Sequence, residues 1–313
     1  MKRAVAIGAA CVAGLLVVLV VIYYLFPGVV LGAATQAARW SAGVSRAEVQ
    51  VDDHRWVYLA GGKGEVVLFL HGFGESKDMW YNFPAAFAGK YRLVIPDLPG
   101  FGENSQVVKR NYGVREQAAR LERFTKAVGL TRFHLVGSSM GGGIAGYYAS
   151  EHPEKVASLT LIGPFGVMTD TPAQVVRARQ KDKRISLAVK DESDFDNNLK
   201  LAYNRPPLMP AHLKTYMATL MARDYDFQFK VFNDLWDGGL GILENRLRKI
   251  TSPTLIIWGK NDRIFDVSSA EIFKRGIGNS RVVVMDAGHV VHNDQPGKAA
   301  EVCLGFLEEH GAP

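Results

Sequence analysis

Cysteine is nearly absent: only Cys11 and Cys303 occur in 313 residues. One lies in an apolar N-terminal run and the other in the last apolar segment. No disulfide framework can be drawn from such a pair, and compartment is not legible from redox chemistry. Also missing are a Cys/His cluster at metal-ligand spacing, a phosphate-cradling glycine loop and any nucleic-acid motif. The expectation is therefore no cofactor, no metal and no nucleic-acid partner. Low-complexity runs and internal repeats are lacking too. With 48% apolar and 22% charged residues the composition is globular, and the length suits one large domain or two small ones.

Charge is missing altogether from residues 4–26, "AVAIGAACVAGLLVVLVVIYYLF". At ~1.5 Å per residue such a helix spans the ~30 Å hydrocarbon core of a bilayer with some tilt. Tyr23 and Tyr24 stand where aromatic belts form, and Pro27-Gly28 stops the run. Lys2 and Arg3 precede it, and the next charge is Arg39. The positive-inside rule then keeps the N-terminus cytoplasmic and sends the body to the periplasmic or extracytoplasmic side. A cleaved signal peptide is the competing reading, but the run exceeds the usual ~7–15 residues and no A-x-A site follows promptly. Cys11 follows "GAA" as in a lipid-attachment site, with too short an apolar stretch before it. Ala6, Ala10 and Gly14 form a small-xxx-small stripe that would pair two such helices into a homodimer. Net charge is +6, and the basic cluster "RARQKDKR" at 177–184 reads more readily as a solvated helix face than as a membrane-surface patch.

After this anchor (1–27), residues 28–48 read as a small-residue linker or amphipathic stretch. From about 49, short β-branched runs alternate with helical spacing. "VVLFL" (66–70), "RLVIP" (92–96), "FHLVG" (133–137), "SLTLIG" (158–163), "TLIIWG" (254–259) and "RVVVMD" (281–286) suit strands buried on both faces. "VQVD" and "HRWVYLA" add an antiparallel pair at the edge, giving eight strands. Residues 114–129, 139–151 and 296–309 have helical periodicity. The pattern predicts a mostly parallel α/β sheet with helices on both faces. The core would occupy 49–166 and 251–313. Between them, 167–250 holds helical stretches without a convincing strand, too long for a loop, and is expected to form a helical cap.

Glycine crowds one place, "FHLVGSSMGGGIAGYYAS" (133–150). Gly137-Ser138-Ser139-Met140-Gly141 matches G-x-S-x-G between a strand and a helix. There the middle serine sits on a strained turn with its hydroxyl above the sheet, and side chains two positions away on either side would collide with neighbouring backbone. Ser139 is the expected nucleophile and Ser138 a filler. "LFLHGFGESKDMW" (68–80) follows a buried strand, and the N–H groups of Phe73 and of Met140 would form an oxyanion hole. His71 is expected to bond loop backbone. In "VVVMDAGHVVHNDQP", His289 is the expected base, with His292 a helix-start or surface residue. In "IIWGKNDRIFDVSS", Asp262 would orient that base, with Asp266 as runner-up and more simply a helix cap. The order Ser, Asp, His is the one this strand–turn–helix context requires.

Over residues 50–310 these stretches resemble the α/β-hydrolase superfamily. "LHGF…KDMW", "DLPGFGEN", "HLVGSSMGG" and "IIWGKND…DVSSA" are similar to membrane-anchored monoacylglycerol lipases of the α/β-hydrolase-domain type and related bacterial lipases and phospholipases. The resemblance implies a Ser139–Asp262–His289 triad, Phe73 and Met140 as oxyanion donors, and hydrolysis of carboxylic esters without a cofactor. A serine at the elbow argues against dehalogenases and epoxide hydrolases, which carry aspartate there. The anchor argues for lipid esters, with membrane lipids as surroundings, and Phe229, Phe232 and Trp236 on one cap-helix face suit an acyl chain or simple packing. A meta-cleavage C–C hydrolase or a small-ester carboxylesterase shares the triad, and a catalytically silent receptor shares the fold.

Overall fold

The computed structural model describes residues 2–80, 83–104 and 106–311. It begins with two helices, α1 (Lys2–Leu25) and α2 (Pro27–Ser41). α1 contains the span Val5–Leu25, with a mean hydropathy of 3.0, and none of it is buried inside the protein. It is the one described helix long and apolar enough to cross a membrane. Pro27 at the first position of α2 is tolerated because its missing N–H would have no partner there. Of the two readings of 28–48, a small-residue linker or an amphipathic stretch, the structure holds an ordered stretch. Residues up to Ser41 are helical, and the first strand starts five residues before the core was expected to begin, at Val44 rather than 49. Gly28 serves close packing, since a Cβ there would stand 2.5 Å from the Tyr216 hydroxyl.

Eight strands follow: β1 (Val44–Val51), β2 (His54–Gly61), β3 (Val66–Leu70), β4 (Arg92–Pro96), β5 (Phe133–Ser138), β6 (Val156–Ile162), β7 (Thr254–Gly259) and β8 (Ser280–Met285). They form one sheet in the order β1-β2-β4-β3-β5-β6-β7-β8, antiparallel at β1–β2 and β2–β4 and parallel elsewhere. Residues of β5, β6 and β7 are buried throughout, as continuous β-branched runs require of central strands covered on both faces.

α3 (Val114–Ala127) and α4 (Met140–Glu151) follow β4 and β5. Four cap helices come between β6 and β7: α5 (Gln174–Lys181), α6 (Glu192–Ala202), α7 (Ala211–Ala222) and α8 (Tyr225–Trp236). α9 (Ser269–Gly276), α10 (Val291–Asp294) and α11 (Pro296–His310) complete the chain. One core cluster packs α3, α4 and the cap base against the sheet around Trp56, Phe124 and Tyr148. The other packs α11 and the turns at Lys77–Trp80 and Phe83–Phe87 against the opposite face, around Phe69, Phe87 and Phe306. The basic cluster is only partly a solvated face. Arg179 is buried, donates to Ile185 O and Asn233 Oδ1, and lies over the Phe232 ring, fastening α5 to α8.

Candidate active site

The β5–α4 turn holds Ser139 at φ 53°, ψ −117°, left-handed backbone that a side chain rarely tolerates. The neighbours hold it there. Ser139 N–H donates to Ile162 O, and Ser139 O accepts from Gly143 and Phe165 N–H. Glycine at the flanking positions is a packing requirement: a Cβ at Gly137 would lie 2.4 Å from Gly141 O, and one at Gly141 would lie 2.2 Å from Leu70 O. Ser139 is half-buried and faces a cavity, whereas Ser138 is buried with its hydroxyl unpartnered among the described residues.

Across the same cavity stands His289, on the loop between β8 and α10. Its Nδ1–H donates to Asp262 Oδ2 at 2.8 Å, and both side chains are buried. The other oxygen of Asp262 accepts from Ile264 and Phe265 N–H at 2.8 and 2.9 Å, which fixes the carboxylate behind the ring. A hydrogen bond between Ser139 Oγ and His289 is not formed among the described residues; such bonds commonly tighten only when substrate is bound. Asp266 instead accepts Ser268 N–H at the approach to α9. His292 opens α10 but is fully buried against Trp80, not at the surface; burial pushes its pKa down to about 3.

His71 bonds backbone on both sides. Its Nε2 accepts Leu98 N–H at 2.9 Å and its Nδ1–H donates to Gly72 O at 2.7 Å, so it spans the ends of β3 and β4. Burial holds its pKa below the usual histidine range. The loop it braces carries Phe73, whose N–H, like that of Met140 at the start of α4, is given to no protein acceptor among the described residues. The α4 terminus adds partial positive charge at that end of the cavity.

The cavity holds about 520 Å³, within the usual size for a ligand site. Much of its apolar wall comes from α6 and α7, through Phe195, Leu199, Met217, Leu220 and Met221. Of the two readings of α8, an acyl-chain face or simple packing, the structure shows packing: Phe232 is buried edge-on to Phe73 and stacked on Trp236, and Phe229 stacks on Tyr225. Glu75 also lines the cavity, its Oε2 accepting Gly72 N–H at 2.7 Å. The sequence carries no signal for it beyond its place in "HGFGES", because G-x-S-x-G chemistry asks for no acid there. Among the described residues no group of three or more His, Cys, Asp or Glu is placed to hold a metal.

The family model described as the α/β hydrolase fold matches residues 65–296. Monoacylglycerol lipase abhd6-B of Xenopus laevis is 32% identical over 268 residues, covering 82% of this chain and 80% of the relative. Lipase 1 of Psychrobacter immobilis is 30% identical over 241 residues, covering 75% of each chain. The solved structure of a bacterial membrane phospholipase A superposes with a TM-score of 0.87 at 36% identity, covering 99% of both chains. With its eight-stranded sheet, serine elbow and matched family model, the chain belongs to the α/β-hydrolase family.

Proposed function

We propose that this protein is a membrane-anchored serine hydrolase that cleaves carboxylic esters of lipids, of the monoacylglycerol, lysophospholipid or phospholipid type. The observation that carries it is Ser139, forced into positive φ at the floor of a largely apolar cavity that also holds His289, itself bonded to buried Asp262. In this reading Ser139 Oγ attacks the ester carbonyl while His289 Nε2 takes its proton. The N–H groups of Phe73 and Met140 hold the oxyanion, each worth about 3 kcal/mol of barrier. The carbonyl–oxygen bond to the alcohol breaks, and His289 returns the proton to the leaving oxygen. Water, deprotonated by His289, then hydrolyses the acyl-enzyme and frees a fatty acid.

The exposed apolar span of α1 supports membrane anchoring, and Lys2 and Arg3 just before that span support a cytoplasmic N-terminus with the body on the periplasmic or extracytoplasmic side. Protease accessibility of the body in intact spheroplasts tests that side. Ala6, Ala10 and Gly14, all exposed on α1, offer a close-packing face to a second copy. A meta-cleavage reading fits less well. Its dienoate substrate is an anion, and neither lysine nor arginine lines the cavity among the described residues.

A fluorophosphonate probe is expected to label the full-length protein, with labelling and ester turnover abolished in Ser139→Ala and kept in Ser138→Ala. Undiminished labelling of Ser139→Ala would refute the mechanism. A panel of monoacylglycerols, lysophospholipids, short p-nitrophenyl esters and a chromogenic dienoate then ranks the substrates.

A further inference from the structure

The ionisable side chains that distinguish one lipid headgroup from another are few in the cavity. Among its described lining residues, only Glu75, Asp224 and His289 are charged or readily become so, apart from the phenol of Tyr203. His289 belongs to the proposed triad, so what remains is acidic. Asp224 is exposed, at the cavity's rim where α7 gives way to α8. Glu75 sits deep, on the loop that carries the Phe73 amide. A Cβ built on Gly72 would lie 3.0 Å from Glu75 Oε2 and 3.3 Å from Ser139 Cβ, so carboxyl and serine flank the same backbone atom. The Gly72 N–H bond at 2.7 Å holds Oε2 in place, and Oε1 has no partner among the described residues.

On the ester-hydrolase reading above, we infer that Glu75 is a specificity-determining residue that selects acyl esters of uncharged alcohols, the monoacylglycerol class, over esters whose alcohol carries a phosphate. A glycerol hydroxyl beside the scissile ester can donate to the carboxyl oxygen of Glu75 in either of its protonation states. A phosphate in that place meets a like charge, or a carboxyl that must first take up a proton, and finds no lysine or arginine to pair with. Loss of water already raises the pKa of Glu75, opposed by the Gly72 N–H and by His289, so a nearby anion adds to a cost the fold carries at rest.

The test uses full-length enzyme in micelles of a neutral detergent in large excess over substrate, so that either lipid leaves the surface nearly uncharged. Values of kcat/KM are measured for 1-oleoylglycerol and for 1-oleoyl lysophosphatidate, which differ by the phosphate alone. The wild-type enzyme is expected to prefer the uncharged ester at least tenfold. Glu75→Gln keeps an acceptor for Gly72 N–H and is expected to shrink that preference at least fivefold by faster turnover of the phosphate ester. Asp224→Asn is expected to shift the ratio the same way by less, and it serves if Glu75→Gln does not fold. Equal wild-type turnover of the two lipids would overturn the inference. So would an equal fall on both substrates in Glu75→Gln, the mark of a residue that merely braces the loop. Absence of any ester turnover together with absence of Ser139 labelling would instead sink the hydrolase reading itself.

Discussion

Buried histidines add to the acid lability of this protein one residue at a time. His292 packs 4.6 Å from the Trp80 ring, is wholly desolvated, and titrates at about 3 in place of 6.5. The sign follows directly. Between those two values the unfolded chain binds a proton that the folded chain refuses, so stability falls as pH drops through that window. One such group steepens the loss by up to about 1.4 kcal/mol per pH unit. His71, also depressed by burial, acts in the same direction. His292→Phe keeps an aromatic ring beside Trp80 and removes one titration. The melting temperature of that variant, followed from pH 7 to pH 4, is expected to fall less steeply than that of the wild type. Parallel curves would show that His292 is not a source of acid lability.

Among the secondary-structure elements, the sheet and its turns were readable because each states its chemistry locally. Runs such as Leu255–Ile257 and Val67–Leu70 are buried on both faces, and at glycines 137 and 141 any Cβ would lie within 2.5 Å of a backbone oxygen. Asp262 and His289, which the fold brings within hydrogen-bond distance, each lie just beyond a strand end. The cap was readable only as helix. Which of its faces meets the cavity depends on how α6, α7 and α8 pack on one another, and every one of them carries apolar residues. The aromatic face of α8 drew attention but closes on Phe73 and Phe165, while the methionines of α7 line the open space. Methionine is unbranched and fills irregular gaps, so that wall can adapt to a flexible chain. Met221→Trp is expected to shorten the usable pocket. Turnover of a p-nitrophenyl palmitate is then expected to fall at least tenfold relative to the butyrate. An unchanged chain-length profile would place the acyl chain elsewhere.

Taken as a whole, the molecule ties its N-terminal helices to the walls of its large cavity. Tyr23 and Tyr24 at the end of α1 lie 4.7 and 4.9 Å from the His212 ring of α7, and Tyr216 of the same helix seats on Gly28 of α2. Arg39, on the last turn of α2, forms a two-bond pair with Asp78, three residues beyond Glu75. Asp78 in turn adjoins Lys77, whose ammonium is buried between Asp97 and Glu103. Together α1 and α2 thus contact both α7, which lines the cavity, and the segment that continues from the Gly72–Glu75 loop. A bidentate pair that is mostly shielded from water holds geometry better than an exposed one. In the double variant Arg39→Ala, Tyr216→Ala, α2 loses its polar hold on that segment and an aromatic seat on α7. Its kcat/KM for monoacylglycerol in phospholipid vesicles is expected to fall about tenfold, because substrate arriving from the bilayer meets a cavity no longer registered with the anchor. Turnover of p-nitrophenyl butyrate, which arrives through water, is expected to fall by much less. Equal losses on both substrates would mean that the contacts serve stability alone, and no loss on either would mean that anchor and cavity work independently.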